Sequence, residues 1–122
     1  MSSITSPTEE IGVVEALPSD APVTMVNLLR FTQPDGLEHY YRYGAEIAPL
    51  LQQAGATVRY AGSSPLYVIG DGRSPWWDMV VVVEYPTPGA FLTMVTSEEY
   101  SLAHVHRAAA LDRAELIATS SL

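Results

Sequence analysis

His104 and Arg107 lie three residues apart, the spacing that sets two side chains on one face of a helix. Tyr100 lies one turn before His104 and can join them. A histidine beside an arginine at a cavity mouth can carry a proton or polarise a carbonyl. The competing role for Arg107 is structural, because a buried arginine needs a carboxylate, and Glu84 or Asp78 could hold it between helix and sheet. Asn27 is a third candidate. It interrupts the apolar stretch Val23–Phe31 (VTMVNLLRF), where an amide is disfavoured and, once buried, must find hydrogen bonds. By alternation it shares a face with Met25, Leu29 and Phe31. If Val26 and Leu28 meet the helices, Asn27 points into a cavity; the alternative is a bond to a neighbouring backbone or bulge.

Other combinations carry less. His104 and His106 are two residues apart, about 200° around a helix, so they diverge and no metal site is expected. Trp76, Trp77, Tyr40, Tyr41, Tyr43 and Tyr60 could line an aromatic pocket, or serve as core and dimer interface. Arg59 is either a cavity residue or a solvent-facing one. Gly70-Asp71-Gly72 lacks the longer glycine pattern and following helix of a nucleotide loop. No Gly-x-Ser-x-Gly elbow occurs.

Composition removes whole classes of chemistry. The chain has 14 acidic and 6 basic residues, a formal charge of −8, and all six basic residues are arginine. Nucleic acid and anionic membranes are therefore poor partners. Without lysine there is no Schiff base and no covalently held pyridoxal phosphate. Without cysteine there is no thiolate nucleophile, disulfide, iron–sulfur cluster or thiolate zinc site. No cofactor is expected. At 122 residues and 48% apolar, one domain with a real core is expected over 1–122. No apolar run suits a membrane span. The polar, acidic start from Met1 to Glu10 lacks the pattern of a signal peptide, so the expectation is a cytoplasmic protein.

The elements that must position these residues follow from pattern. Ser6, Pro7 and Glu9 read as a helix start, and Ile11, Val14 and Leu17 as its apolar stripe, giving a short helix over 7–17 that Pro18 ends. Val23–Phe31 is a buried strand. A turn at Gln33-Pro34-Asp35-Gly36 leads into a helix over 37–54, with Asp35 and Glu38 capping it and Gly55 ending it. Pro49 should kink it or break its last turn. Ala56–Gly62 is a second strand, with Pro65–Gly70 as an extension or hairpin arm. Trp77–Tyr85 contains four consecutive valines and reads as a strand that Pro86 and Pro88 stop. A helix over 90–111, broken near Thr96-Ser97 with Ser97 as a cap, and a strand over 114–119 complete the chain.

That order is the split βαβ of the ferredoxin-like α+β class, βαββαβ with a four-stranded antiparallel sheet and both helices on one face. The strands show no polar face, whereas a half-solvated antiparallel sheet should alternate. A second copy covering the bare face, a homodimer, is the economical answer.

The stretches Val23–Phe31, Trp77-Asp78 leading to Val83-Glu84-Tyr85-Pro86, Ser97-Glu98-Glu99-Tyr100, and His106–Leu111 followed by Leu116-Ile117 together resemble the dimeric α/β-barrel superfamily. They most resemble its branch called domain of unknown function thirteen-thirty, over roughly residues 8 to 120. The resemblance implies sheets packed back to back, with an apolar cavity in each subunit. It also implies relatives that include cofactor-free oxygenases of aromatic polyketides, cyclases, haem-using enzymes and plain ligand binders. Two functions follow as expectations. One is a cofactor-independent monooxygenase, cyclase or isomerase acting on an apolar oxygenated molecule of polyketide or aromatic type. Asn27, His104 and Arg107 would then be catalytic, and Met25, Leu29, Phe31, Arg59, Trp77 and Tyr100 would surround the substrate. The other is a non-catalytic domain that binds a small apolar ligand in the same cavity.

Overall fold

The computed structural model describes residues 11–63, 65–70 and 77–121. A short 3-10 helix, Ile11–Ala16, precedes strand β1 (Val23–Phe31), helix α1 (Gly36–Gln53) and strands β2 (Thr57–Ser63) and β3 (Met79–Tyr85). Helices α2 (Pro88–Val95) and α3 (Glu98–Ala110) and strand β4 (Leu111–Thr119) follow. The sheet runs β2-β3-β1-β4 and every neighbouring pair is antiparallel. This is the βαββαβ ferredoxin-like arrangement that the sequence predicts. No described helix is long and apolar enough to cross a membrane.

β1 decides which face is which. Val23, Met25, Leu29 and Phe31 are buried and the residues between them only half so. In register, Met25 lies opposite Val83, and Val23 opposite Tyr85. Val23 and Met25 pack with Tyr43, Ile47 and Leu50 of α1 and with Tyr100 and Ala103 of α3 into the main core. Val26 and Leu28 do not meet the helices. They lie on the outer sheet face, where Val26 is opposite Val82 and Ile117, and Leu28 is opposite Val80. The premise that would have aimed Asn27 away from the helices is thus reversed.

Local chemistry explains the helix ends. Asp35 holds the N-cap position of α1 without a side-chain cap bond, so the predicted box with Glu38 is not formed. Gly36 is fixed by space, since a Cβ there would meet the Ala110 carbonyl oxygen at 2.5 Å. Gly55 ends the helix with φ of 72°, a left-handed conformation that glycine adopts without a Cβ clash. Its N–H bonds Gln52 O and that of Ala56 bonds Leu51 O. Pro49 does not break the last turn, and α1 runs through it to Gln53. Pro49 and Ala45, whose carbonyl loses its donor, both face solvent, so water can satisfy that carbonyl.

The predicted break in the second helical segment falls where expected. Ser97 Oγ accepts the Tyr100 N–H at 3.1 Å and starts α3. The strand stops at Tyr85 before Pro86 and Pro88 as expected; Pro88 also opens α2, two residues before the expected start, and Thr87 caps it by accepting the Ala90 N–H. β4 begins three residues earlier than predicted, at Leu111. Leu66 to Gly70 form no strand. The predicted N-terminal helix is a 3-10 helix over Ile11–Ala16, and its first part, 7–10, lies outside the described residues. So do Asp71, Gly72 and Trp76.

Candidate functional site

A cavity of about 390 Å³ lies between the helix-facing side of the sheet and the helices. Its floor comes from Met25 and Asn27 of β1, Tyr85 of β3, and Leu116 and Ala118 of β4. Phe91, Met94 and Val95 of α2 form one wall. Tyr43 of α1, with Tyr100, His104 and Arg107 of α3, forms the opposite, polar wall. Val14 and its neighbours in the 3-10 helix close one side.

The polar wall follows from α3 itself. Tyr100, Ala103, His104 and Arg107 follow one another at three- and four-residue steps, so they make one stripe. Tyr100 and Ala103, buried in the core, fix the rotation of the helix. His104 and Arg107 must then face the sheet. His106 is turned away, and its Nε2 meets Glu46 Oε2 of α1 at 2.8 Å. The two histidines diverge as their spacing requires. Among the described residues no group of three His, Cys, Asp or Glu could hold a metal ion.

Asn27 sits opposite Val81 on β3 and Leu116 on β4. Its Nδ2 donates to the Val81 carbonyl at 3.2 Å. It therefore has both roles that its sequence position allowed, since it bonds a neighbouring backbone and borders the cavity.

Arg107 does not pair with Glu84 or Asp78. The Glu84 carboxylate accepts from Arg59 Nε at 2.8 Å. Asp78 accepts the Phe31 N–H at 2.9 Å and fastens the strand end. Arg30, Arg42, Arg59 and Arg113 each have a carboxylate within ion-pair distance. Among the described residues, Arg107 has none.

The aromatic groups around Arg107 are held neutral. Burial raises Tyr43 well above its usual range, and the phenol of Tyr100, hydrogen-bonded to it, adds to the effect. Burial raises Tyr85 and Tyr40 as well. The His104 ring lies 5.8 Å from that of Tyr100, and its Nδ1 is buried without a hydrogen-bond partner. Burial, and secondly the nearby Arg107 charge, lowers its pKa from 6.5. At neutral pH the site therefore offers the Arg107 cation, a neutral imidazole, the neutral phenols of Tyr43 and Tyr85 and an amide, with Glu115, within ion-pair distance of Arg113, also on its border.

Of the residues singled out from sequence, Met25, Asn27, Tyr100, His104 and Arg107 border this cavity. Four others do not. Leu29 and Phe31 belong to a second core cluster, packed against Ala110, Leu111 and Ala114. Arg59 is solvent-facing beside Glu84, where a bulge between Val58 and Tyr60 shifts the edge strand. Trp77 precedes β3 and lies outside the lining. Of the described members of the proposed aromatic group only Tyr43 borders the cavity. Tyr40 packs between Phe31 and Tyr43, while Tyr41 and Tyr60 are exposed. The sequence reading missed Tyr85, Phe91 and Met94. Tyr85 shares strand parity with Val83 and could have been found from alternation. Phe91 and Met94 depend on how α2 docks.

The fold is shared widely. A protein of unknown function from Rhodopseudomonas palustris is 31% identical, with a TM-score of 0.85 over 100% of this chain and 98% of that one. A dimeric ferredoxin-like protein of unknown function from Bacteroides fragilis matches at 13% identity and TM-score 0.57, covering 85% and 100%. The hydroxynitrile lyase of Passiflora edulis matches at 11% identity and TM-score 0.65, covering 84% and 95%. The last two likenesses concern fold alone. No curated protein matches the sequence. The model of the family described as domain of unknown function (DUF1330) matches residues 25–120, so this chain, with its ferredoxin-like fold, belongs to the DUF1330 family.

Proposed function

We propose that this chain binds a small, apolar, oxygenated molecule of aromatic or polyketide type in the cavity and transforms it by proton transfer. The reaction would be of monooxygenase, cyclase or isomerase type, with no cofactor. One observation carries the reading: Asn27, His104 and Arg107 converge from two elements on one cavity, and no described carboxylate engages Arg107. The chemistry common to those reaction types is removal of a proton from carbon next to a carbonyl. The neutral His104 imidazole takes that proton, and the electron pair moves onto the carbonyl oxygen. Asn27 orients the substrate oxygen, and Arg107 supplies positive charge opposite the negative charge on the substrate. Met25, Phe91 and Met94 bind the apolar part and exclude water.

A second reading, a non-catalytic ligand-binding domain, is favoured by the unpartnered Nδ1 of His104, because a catalytic base is normally oriented by another group. Deuterium exchange separates the two. A β-diketone such as 1-phenylbutane-1,3-dione is incubated with the protein in D₂O and followed by NMR. Exchange accelerated by the protein and abolished in His104→Ala, with binding retained, supports the enzyme. Binding without acceleration supports the binder, and the absence of both removes the cavity as a site.

The assembly is proposed to be a homodimer. Val26, Leu28, Val80, Val82 and Ile117 make an apolar outer sheet face in register, too apolar to leave in water. The Bacteroides fragilis relative is dimeric.

A further inference from the structure

Resting on the reading of the cavity as a small-molecule site, we propose that its ligand is a monocarboxylate, anchored by Arg107 with its apolar body toward Phe91 and Met94.

The argument begins with the distribution of charge. Acidic residues outnumber basic ones by 14 to 6, so an arginine in this chain finds a carboxylate easily. Arg30, Arg42, Arg59 and Arg113 have done so, all at the surface and with side chains at least 35% exposed. Arg107 is half-buried and borders the cavity, where desolvation makes an unpaired charge most costly. Yet no described carboxylate lies within ion-pair distance of it; Glu115, which also borders the cavity, is within that distance of Arg113 instead. A guanidinium does not escape by losing its proton. The neighbouring groups do not neutralise it either, because Tyr40, Tyr43 and Tyr85 are held protonated. A ligand carboxylate removes the imbalance, and the planar guanidinium fork fits it in a bidentate geometry.

The surroundings narrow the class further. One cation matches one charge, and a chain of net charge −8 repels phosphates and dicarboxylates more strongly than a monoanion. The wall opposite Arg107, from Phe91, Met94 and Val95, is apolar. Arg107 then holds the carboxylate instead of facing the carbonyl oxygen, and Asn27 and His104 stay available for that second oxygen or an acidic C–H further along the molecule.

The test uses matched pairs that differ in charge alone: phenylacetate, cinnamate and octanoate against phenylacetamide, cinnamamide and octanamide. Isothermal titration calorimetry is run on the wild type, Arg107→Met and Arg107→Lys. The expected result is at least one acid binding tenfold or more tighter than its amide. Arg107→Met should erase that preference and Arg107→Lys should keep part of it. Equal affinity for acid and amide, or a preference surviving in Arg107→Met, overturns the carboxylate and leaves the cavity reading standing. If neither acids nor amides bind at millimolar concentration, the cavity reading itself falls. A probe-free measurement runs alongside. An arginine awaiting a ligand should be dispensable to the empty fold, so the melting temperature of Arg107→Met should be equal or higher. A fall of more than about 5 °C would make Arg107 a scaffold residue and overturn the proposal.

Discussion

Asn27 donates from Nδ2 to the carbonyl of Val81, its own register partner across β1 and β3, at 3.2 Å. One amide hydrogen is thereby spent on the scaffold while the residue borders the cavity. Asn27→Leu should therefore affect both stability and binding. Loss of the bond is expected to lower stability by about 1 kcal/mol, or roughly 3–6 °C in melting temperature for a domain of this size. Ligand affinity should fall at least tenfold. Calorimetric melting and titration on the same preparation separate the two effects. An unchanged melting point would mean that the Val81 bond contributes nothing.

His104 should titrate below 6.5, because burial, and then the Arg107 charge, disfavour its protonated form. Histidine NMR across pH 4.5–8 measures this directly. Arg107→Met should move the midpoint up but leave it below 6.5, since burial, the larger cause, remains. A midpoint at or above 6.5 in the wild type would contradict the burial seen here. The linkage has a definite sign. Above pH 6.5 the imidazole is neutral whether the chain is folded or unfolded. As pH falls through the folded pKa, the unfolded chain binds the proton more readily and stability declines. Denaturant titrations at several pH values should show that decline flattened in His104→Gln. Any turnover that needs the neutral imidazole should fall over the same range.

Arg59→Gln tests the surface position of that residue. The Arg59–Glu84 pair is exposed on the Arg59 side, and exposed pairs contribute about 0.2–1 kcal/mol. Stability should change by no more than that and ligand affinity not at all. A tenfold loss of affinity would place Arg59 back in the site.

Val82→Asp tests the outer sheet face. Val82 lies opposite Val26, at the centre of the apolar strip. Light scattering with size exclusion should give twice the 13.2 kDa chain mass for the wild type. The substitution should give a folded monomer, because an unpaired carboxylate cannot be buried in an apolar interface. A wild-type monomer, or an unaffected dimer, would remove this face as the contact.

Gly36→Ala should destabilise by more than about 1 kcal/mol, because the new methyl would meet the Ala110 carbonyl oxygen and Phe31 Cβ, where α1 starts against the end of α3. Denaturation by urea measures it. A neutral effect would show that the α1–α3 junction has slack.

Much of this protein is determined by local sequence. The apolar run at Val23–Phe31, the helical stripe after Asp35, the Ser97 cap and Gly55 at positive φ each specify an element from within a few residues, so their order, and with it the ferredoxin-like fold, is legible. The stripe Tyr100–His104–Arg107 is legible for the same reason, since helical geometry alone aligns it, and so is the divergence of His106. What lies across the fold is not. Alternation puts Asn27 with Met25 and Leu29 but cannot say which strand face meets the helices, and that depends on how α1 and α3 dock. The partner of an arginine is equally non-local. Glu84 is taken by Arg59 and Asp78 by the Phe31 backbone, both through strand pairings far apart in sequence, and only those pairings leave Arg107 to the cavity. The end of the cavity short of Leu29 and Phe31 is likewise set by Ala110, Leu111 and Ala114 packing against them, because side-chain volume from a distant segment decides where space remains.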